Sequence, residues 1–318
     1  MWQVLVSTTS QLLEEMQGTL RRVRGGEPQR RPVVGGSVPY HPLQRVVLTD
    51  GVGRTLFQEF AEHRSSTRGE EETGWVLLGL REAHQAIALA TLPAGAERNA
   101  GVAHVRFNSI GQALGSRIVR QTDRRLTILG VVHTHPGSLR HPSDADYRGD
   151  SRWVGQLRGG EGIFAIGTAD GHADNDPLLA RQPKPHLQCW GKLCFSWYAL
   201  KDGDASYRPL PVAMTLGPDL ARPLHTVWST IEKHAERLDR LAQQQKGVRF
   251  DVVPGRSGEM LVVTIPLAEP YDALRVLLEE DAVHYFLLRD GDILAADPRE
   301  QRVDQGVYLL LAELASHM

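Results

Sequence analysis

The stretch HTHPGSLRHPSD places three histidines, two of them one residue apart, two serines and an aspartate directly after an apolar run. His133 and His135 alternate at the end of the predicted strand LTILGVV, and alternate residues of a strand point to the same face. Two imidazoles on one face can share a cation, whose third ligand must come from the segment that follows. Asp146, at the start of the next predicted helix, is the best candidate. Two histidines and one carboxylate leave the fourth tetrahedral position open, which is the pattern of a catalytic zinc site.

Other residues near this stretch are rival ligands. Asp144 is a candidate to accept a hydrogen bond from a ligand imidazole rather than to bind the metal itself. His141 is predicted to be a loop residue, and Asp150 lies further along the same predicted helix. A pair of structural histidines in a turn is the alternative to a metal site.

A hydrolytic site also needs a base that takes a proton from water and returns it to the leaving group. Glu72, in EETGWVLLG, comes immediately before Thr73, Gly74 and a predicted buried strand. This position can hold a carboxylate at the floor of a cleft. The alternative is an ordinary surface acid, because Glu70 and Glu71 stand beside it.

Taken together, E-T-G-x-x-L-x-G, H-T-H-P and S-x-x-D resemble the JAMM motif of the MPN (Mov34/JAB) zinc metalloproteases. This family includes deubiquitinases and bacterial relatives, and the resemblance covers residues 44–200. Trp75 departs from it, since many relatives carry a small residue after the glycine. The resemblance implies Zn²⁺ as the cofactor and three roles: metal ligands His133, His135 and Asp146, general acid/base Glu72, and Ser143 as hydrogen-bond donor to the oxyanion.

The resemblance further implies cleavage after the C-terminal glycine of a ubiquitin-like protein, in deconjugation or in precursor processing. A narrow groove can admit such a tail in extended form, by strand addition. The expected partners are a ubiquitin-like protein or its conjugates and the cognate ligation enzymes. The simple domain layout resembles bacterial JAB peptidases of ubiquitin-like modification systems, some of them antiviral.

Two other classes of protein remain open. One is a catalytically silent MPN scaffold, against which the complete set of motif residues argues. The other is a small-molecule enzyme: a metal-dependent amidase acting on a small molecule or carrier protein, or an iron enzyme with two histidines and a carboxylate. Glu72 and Ser143 favour hydrolysis over oxygen chemistry.

Composition narrows the function further. A net charge of -2 over 318 residues gives no reason to expect nucleic-acid or membrane binding. The N-terminal residues lack a basic start and a long apolar block, so neither a signal peptide nor a membrane span is expected. Cys189 and Cys194 have no second pair to complete a zinc site, and we expect two buried strand thiols in a cytoplasmic protein.

The fold class predicted is α+β. Residues 1–43 are predicted to form an N-terminal helix, over 9–24, and a linker arm. The resemblance implies a JAB/MPN domain over residues 44–205, with a central mixed β-sheet flanked by helices, and residues 217–318 are predicted to form a small α+β domain. Apolar spacing predicts helices over 109–121, 143–157 and 224–243. Asp290-Gly291 between two apolar runs predicts a hairpin.

Overall fold

The structure is a computed structural model that describes residues 39–95, 99–101, 104–106, 108–171, 180–255 and 258–316, with the backbone alone for 99–101 and 104–106. The predicted helix over 9–24 and most of the predicted arm lie outside the described residues. The chain divides into two compact units, Ser37–His225 and a second unit that begins at Thr226.

The first unit combines a curled mixed sheet with helices. Its helices within the described residues are α1 (Asp50–Ser65), α2 (Ser109–Val119), α3 (Asp144–Asp150) and α4 (Arg222–Thr226). Its first strands are β1 (Arg45–Thr49), β2 (Gly74–Arg81), β3 (Gln85–Pro93), β4 (Asn99–Gly101), β5 (His104–Arg106) and β6 (Thr127–Thr134). The later strands are β7 (Glu161–Thr168), β8 (Ala180–Lys184), β9 (Leu187–Trp190), β10 (Leu193–Lys201), β11 (Arg208–Pro209) and β12 (Val212–Thr215).

In the described residues, the large sheet has ten strands in the order β12-β1-β3-β2-β6-β7-β10-β9-β8, with β11 paired to β10. Strand β6 lies at its centre, antiparallel to β2 and parallel to β7. Gly130 lets β6 and β7 approach closely: its φ is +152°, and a Cβ there would lie 1.7 Å from the Ile163 carbonyl oxygen. The mixed sheet with flanking helices confirms the predicted class of this unit.

Helix α1 forms because its apolar residues recur at helical spacing and its first turn is capped. The Thr49 hydroxyl accepts a hydrogen bond from the Val52 amide at the N-terminus. Leu56 and Phe60 are 1% exposed and pack with residues of β1, β2 and β10. This core lies against one face of the sheet and fixes the strands whose ends carry the chemistry.

Over its described residues, the second unit contains α5 (Trp228–Gln244), α6 (Val303–Ser316) and five strands in sequential order. The strands are β13 (Arg249–Pro254), β14 (Glu259–Pro266), β15 (Ala273–Leu278), β16 (Val283–Arg289) and β17 (Asp292–Ala296). They are antiparallel throughout. The predicted hairpin is confirmed: Asp290 and Gly291 have φ values of 54° and 89° between β16 and β17.

Several predicted boundaries differ from the structure. The helix expected over 143–157 ends at Asp150, and a short 3₁₀ turn follows at Val154–Gln156. The chain between the predicted domain limits of 205 and 217 lies in the first unit, because β12 pairs in parallel with β1. Among the described residues, no helix combines the length and apolarity needed to cross a lipid bilayer.

The prediction of two unpaired cysteines is wrong. Cys189 and Cys194 face each other across β9 and β10, with Cα atoms 4.1 Å apart, and form a disulfide. The alternation of each strand was visible in the sequence, but the hairpin register that brings the two sulfurs together was not. Cysteine usage therefore no longer supports the expectation of a reducing compartment.

Candidate metal centre

The two histidines and Asp146 converge on one point. His133 and His135, at the end of β6, place their Nε2 atoms 3.1 Å apart. Asp146 approaches from the first turn of α3, with Oδ1 3.3 Å from His133 Nε2 and Oδ2 3.5 Å from His135 Nε2. Both histidines are buried, at 6% and 7% exposed, whereas Asp146 keeps partial access to solvent.

These distances fit a tetrahedral metal ion. Zinc bonds of about 2.0–2.2 Å to nitrogen and oxygen separate neighbouring ligand atoms by about 3.3–3.6 Å. The Nε2–Nε2 separation of 3.1 Å and the separations of 3.3 and 3.5 Å from the two histidines to different oxygens of Asp146 are close to this range. Two neutral imidazole nitrogens that point at each other and at a carboxylate oxygen are a donor set suited to Zn²⁺. The residues present therefore fit the metal that the motif implies.

The outer nitrogen of His135 fixes which tautomer the ring adopts. Nδ1 lies 2.8 Å from the Leu139 carbonyl oxygen, so it carries the proton and leaves the Nε2 lone pair facing the site. Burial lowers the pKa of His135, but the hydrogen bond and charge of Asp146 and the Leu139 carbonyl outweigh it, so the pKa lies above its ordinary value.

Asp146 is oriented by the cap of α3. The Ser143 side chain accepts a hydrogen bond from the Asp146 amide at 3.2 Å, and the Ser143 amide donates to Asp146 Oδ2 at 2.6 Å. This is a reciprocal capping box. Burial raises the pKa of Asp146, but hydrogen bonds to His133 and His135 outweigh it and hold the pKa far below the ordinary value. The Ser143 hydroxyl hydrogen is not used in the cap.

Glu72 is held beside these ligands by the pairing of β2 with β6. Gly74 lies opposite His133, and the ladder continues beyond the strand because the Thr134 amide donates to the Thr73 carbonyl at 2.9 Å. The Thr134 hydroxyl in turn accepts from the Thr73 amide at 3.0 Å. Glu72 is 4% exposed. The sequence did not single out Thr134, although its place between the two histidines was a signal.

The pKa of Glu72 is raised above its ordinary value. Burial is the main cause, the charge of Asp146 adds to it, and His133 and His135 oppose it. An elevated pKa suits a group that must both accept and donate a proton near neutrality. Glu72 therefore has the burial and the raised pKa that suit general acid/base chemistry.

The rival ligands do not join the group. His141 is exposed, with Nδ1 3.2 Å from the neighbouring Pro142 carbonyl, and Asp144 is exposed in the first turn of α3. Asp150 lies one turn after Asp146 and accepts a hydrogen bond from the Tyr207 hydroxyl at 2.7 Å. Burial raises the pKa of Asp150 to about 6. Tyr207 was not a predicted site residue.

Trp75, where the motif departs from its relatives, is a core residue. It is 2% exposed, and its indole N–H donates to Glu59 Oε2 at 2.7 Å. Its ring packs edge-on against Phe195 at 6.3 Å between centroids. The bulky side chain therefore packs in the hydrophobic core.

Comparison with known proteins identifies a JAB-like domain in part of the chain. Residues 53–178 match the profile of a family described as prokaryotic homologs of the JAB domain, so the predicted likeness to the JAB/MPN family is confirmed over this part of the chain. No curated protein sequence matches the chain significantly. A similar solved structure is the solution structure of protein DSY2949 from Desulfitobacterium hafniense. It is 14% identical, covers 55% of this chain and 95% of its own, and has a TM-score of 0.36.

Proposed function

We propose that the first unit is a zinc-dependent peptidase or isopeptidase of the JAMM type. The observation that carries the proposal is the convergence of His133, His135 and Asp146 to within 4.8 Å of one another, with buried Glu72 two residues before the Gly74 that pairs with His133. The match to a prokaryotic JAB domain supports the class of enzyme.

His133, His135 and Asp146 would hold the ion, and Zn²⁺ there would supply Lewis acidity that lowers the pKa of water and polarises a carbonyl. Glu72 would accept the proton of the attacking water and pass it to the leaving amine, so the bond between carbonyl carbon and nitrogen breaks. Ser143 would donate its hydroxyl hydrogen to the developing oxyanion while its lone pair caps α3.

The substrate we propose is a ubiquitin-like protein, cleaved after its C-terminal glycine, either in a precursor or in a conjugate. The support is the resemblance of the motif to deubiquitinating MPN enzymes. A bacterial ubiquitin-like modification or antiviral system, in the cytoplasm and with its own ligation enzymes, is the setting that this resemblance favours. The second unit would then be a module for substrate or partner.

The test combines metal analysis with cleavage of a ubiquitin-like protein fused at its C-terminal glycine to a tag. We expect one zinc per chain in the wild type and in Glu72→Gln, with cleavage reduced by about 10²- to 10⁴-fold in the variant. Glu70→Gln is the matched control, because Glu70 is 81% exposed and pairs with Arg64 on the surface. The control should cleave like the wild type.

The alternatives predict other results. A wild-type protein that binds no metal and cleaves nothing supports a silent scaffold. A coloured iron centre supports an oxygen-using enzyme. Cleavage of small amides but not of the fusion supports an amidase. Unchanged cleavage in Glu72→Gln contradicts the assigned base.

A further inference from the structure

The ring of His135 depends on a carbonyl that belongs to an irregular loop. Leu139, whose oxygen accepts from His135 Nδ1 at 2.8 Å, lies between β6 and α3 where the chain forms neither helix nor strand. The Leu139 side chain is 42% exposed and therefore anchors little. Something else must hold this carbonyl in place for the imidazole to keep its orientation.

The next residue, Arg140, attaches the loop to the sheet. Its Nε donates to both carboxylate oxygens of Asp170, at 3.0 and 3.1 Å, and its Nη2 lies 3.4 Å from the Asp170 carbonyl. The Arg140 carbonyl accepts a hydrogen bond from the Tyr198 hydroxyl at 2.8 Å. Asp170 is fixed in turn by the hydroxyl of Thr168, the last residue of β7, at 2.7 Å.

These contacts connect the loop to buried strands. Thr168 is fully buried and Tyr198, on β10, is 9% exposed. The Arg140 and Asp170 side chains are 35% and 30% exposed. An ion pair this accessible contributes little to global stability, so its main effect is local, on the position of the residue beside it.

We propose that the Arg140–Asp170 ion pair is a positioning clamp for the metal ligand His135. By holding the loop against the ends of β7 and β10, the pair keeps the Leu139 carbonyl on Nδ1 and the Nε2 lone pair directed at the metal. The inference rests on the proposed metal site, and it concerns residues outside the motif that defines that site. Groups that orient ligand imidazoles change metal affinity by about 10- to 100-fold when they are removed.

The test measures zinc affinity by chelator competition in the full chain, for the wild type, Arg140→Gln, Asp170→Asn and the double variant. Because the pair acts on His135 through one intervening carbonyl, we expect each single variant to weaken zinc binding about tenfold. The double variant should be no weaker than the worse single variant, since both changes remove the same contact. The spectrum of bound Co²⁺ should change in all three.

Two controls separate positioning from general stability. Arg125→Gln removes a pair of the same geometry elsewhere, in which Nε contacts both oxygens of Asp123 at 3.1 and 3.0 Å. It should leave zinc affinity unchanged. The melting temperature of the metal-free variants should fall by no more than about 4 °C, because an accessible ion pair contributes little to global stability.

The outcomes distinguish the clamp from the proposed function. A wild-type protein that binds zinc, with unchanged affinity and Co²⁺ spectrum in both single variants, overturns the clamp and leaves the proposed function intact. Additive losses in the double variant also overturn it. A wild-type protein that binds no zinc overturns both.

Discussion

From the contacts of the buried His225 side chain we predict an effect on the free energy of unfolding that does not depend on the metal centre. His225 Nδ1 lies 2.5 Å from Glu59 Oε1 and Nε2 lies 2.6 Å from the Thr91 carbonyl oxygen. Because both ring nitrogens face acceptors, the imidazolium satisfies the contacts that the neutral ring can only half satisfy. The side chain is 6% exposed, so water cannot replace a lost partner.

The contact between His225 and Glu59 raises the pKa of the histidine and lowers the pKa of the glutamate. Burial lowers the pKa of His225, but the hydrogen bond and charge of Glu59, the charge of Asp219 and the Thr91 carbonyl outweigh it, and the net change is upward. Burial raises the pKa of Glu59, but its contacts with His225, Trp75 and Arg222 bring it below 4.5.

Replacing His225 by Gln removes the cation from a pair that is largely buried. Such a change costs about 3–5 kcal/mol. We expect the low end, about 3 kcal/mol, because Glu59 keeps Arg222 at 2.7 Å and the Trp75 indole at 2.7 Å. For a unit of this size, that corresponds to a fall of about 6–12 °C in the melting temperature.

The pH dependence follows from the directions of the shifts. A raised histidine pKa stabilises the folded state fully below the unfolded value of 6.5, and that stabilisation is lost as the pH rises through the folded pKa. A lowered glutamate pKa stabilises above 4.5 and is lost as the pH falls through the folded value. The difference in unfolding free energy between the wild type and His225→Gln should therefore be largest between pH 4.5 and pH 6.5, and it should shrink at alkaline pH.

The assay is urea unfolding of the wild type and His225→Gln from pH 5 to 9, compared as a difference so that titration of the metal site cancels. His234→Gln is the control, because burial, Lys233 and Arg237 lower the pKa of His234. Its difference from the wild type should change with pH in the opposite sense. A loss below 1 kcal/mol in His225→Gln, or a difference that is constant with pH, would refute the reasoning.

Three further predictions concern the backbone at Gly130, the disulfide between Cys189 and Cys194, and the buried ion pairs of Asp304. Gly130→Ala should lower the free energy of unfolding, measured in urea, by about 3 kcal/mol or more, because Gly130 has a positive φ and an added Cβ would lie 1.7 Å from the Ile163 carbonyl oxygen of β7. A variant as stable as the wild type would contradict this close approach of the two strands. The unfolded, unreduced protein should show no free thiols from Cys189 and Cys194, and reduction should cost about 2 kcal/mol; two titratable thiols before reduction would show that the pair is not bonded. Asp304→Asn should cost about 3 kcal/mol, since Asp304 is 1% exposed against two arginines of α5; an unchanged urea midpoint would count against that pair.

Most of the candidate site could be predicted from local sequence. The alternation of a strand places His133 and His135 on one face, and S-x-x-D is a capping box that aims Asp146 back towards the N-terminus of α3. These are short-range effects of backbone geometry. The resemblance to the MPN family added Ser143 as an oxyanion donor, which remains a prediction.

Local sequence did not predict the groups that hold the ligands in place. Arg140 and Asp170 contact each other only because the loop after β6 folds back on the end of β7. Tyr207 reaches Asp150 in the same way, from beyond β10. The periodicity of a helix or strand relates residues only a few positions apart, so it cannot predict contacts between residues this distant in the chain.

The sequence by itself determined the identity and the local direction of the metal ligands, because strand alternation and helix capping act over a few residues. Only the tertiary structure decided that β2 pairs with β6 and brings Glu72 to the histidines, that Trp75 belongs to the core, and that Cys189 meets Cys194. The pairing of β2 with β6 and the burial of Trp75 depend on packing between segments that are distant in the chain. The meeting of the two cysteines depends on the register of the β9–β10 hairpin, which the geometry of its turn sets.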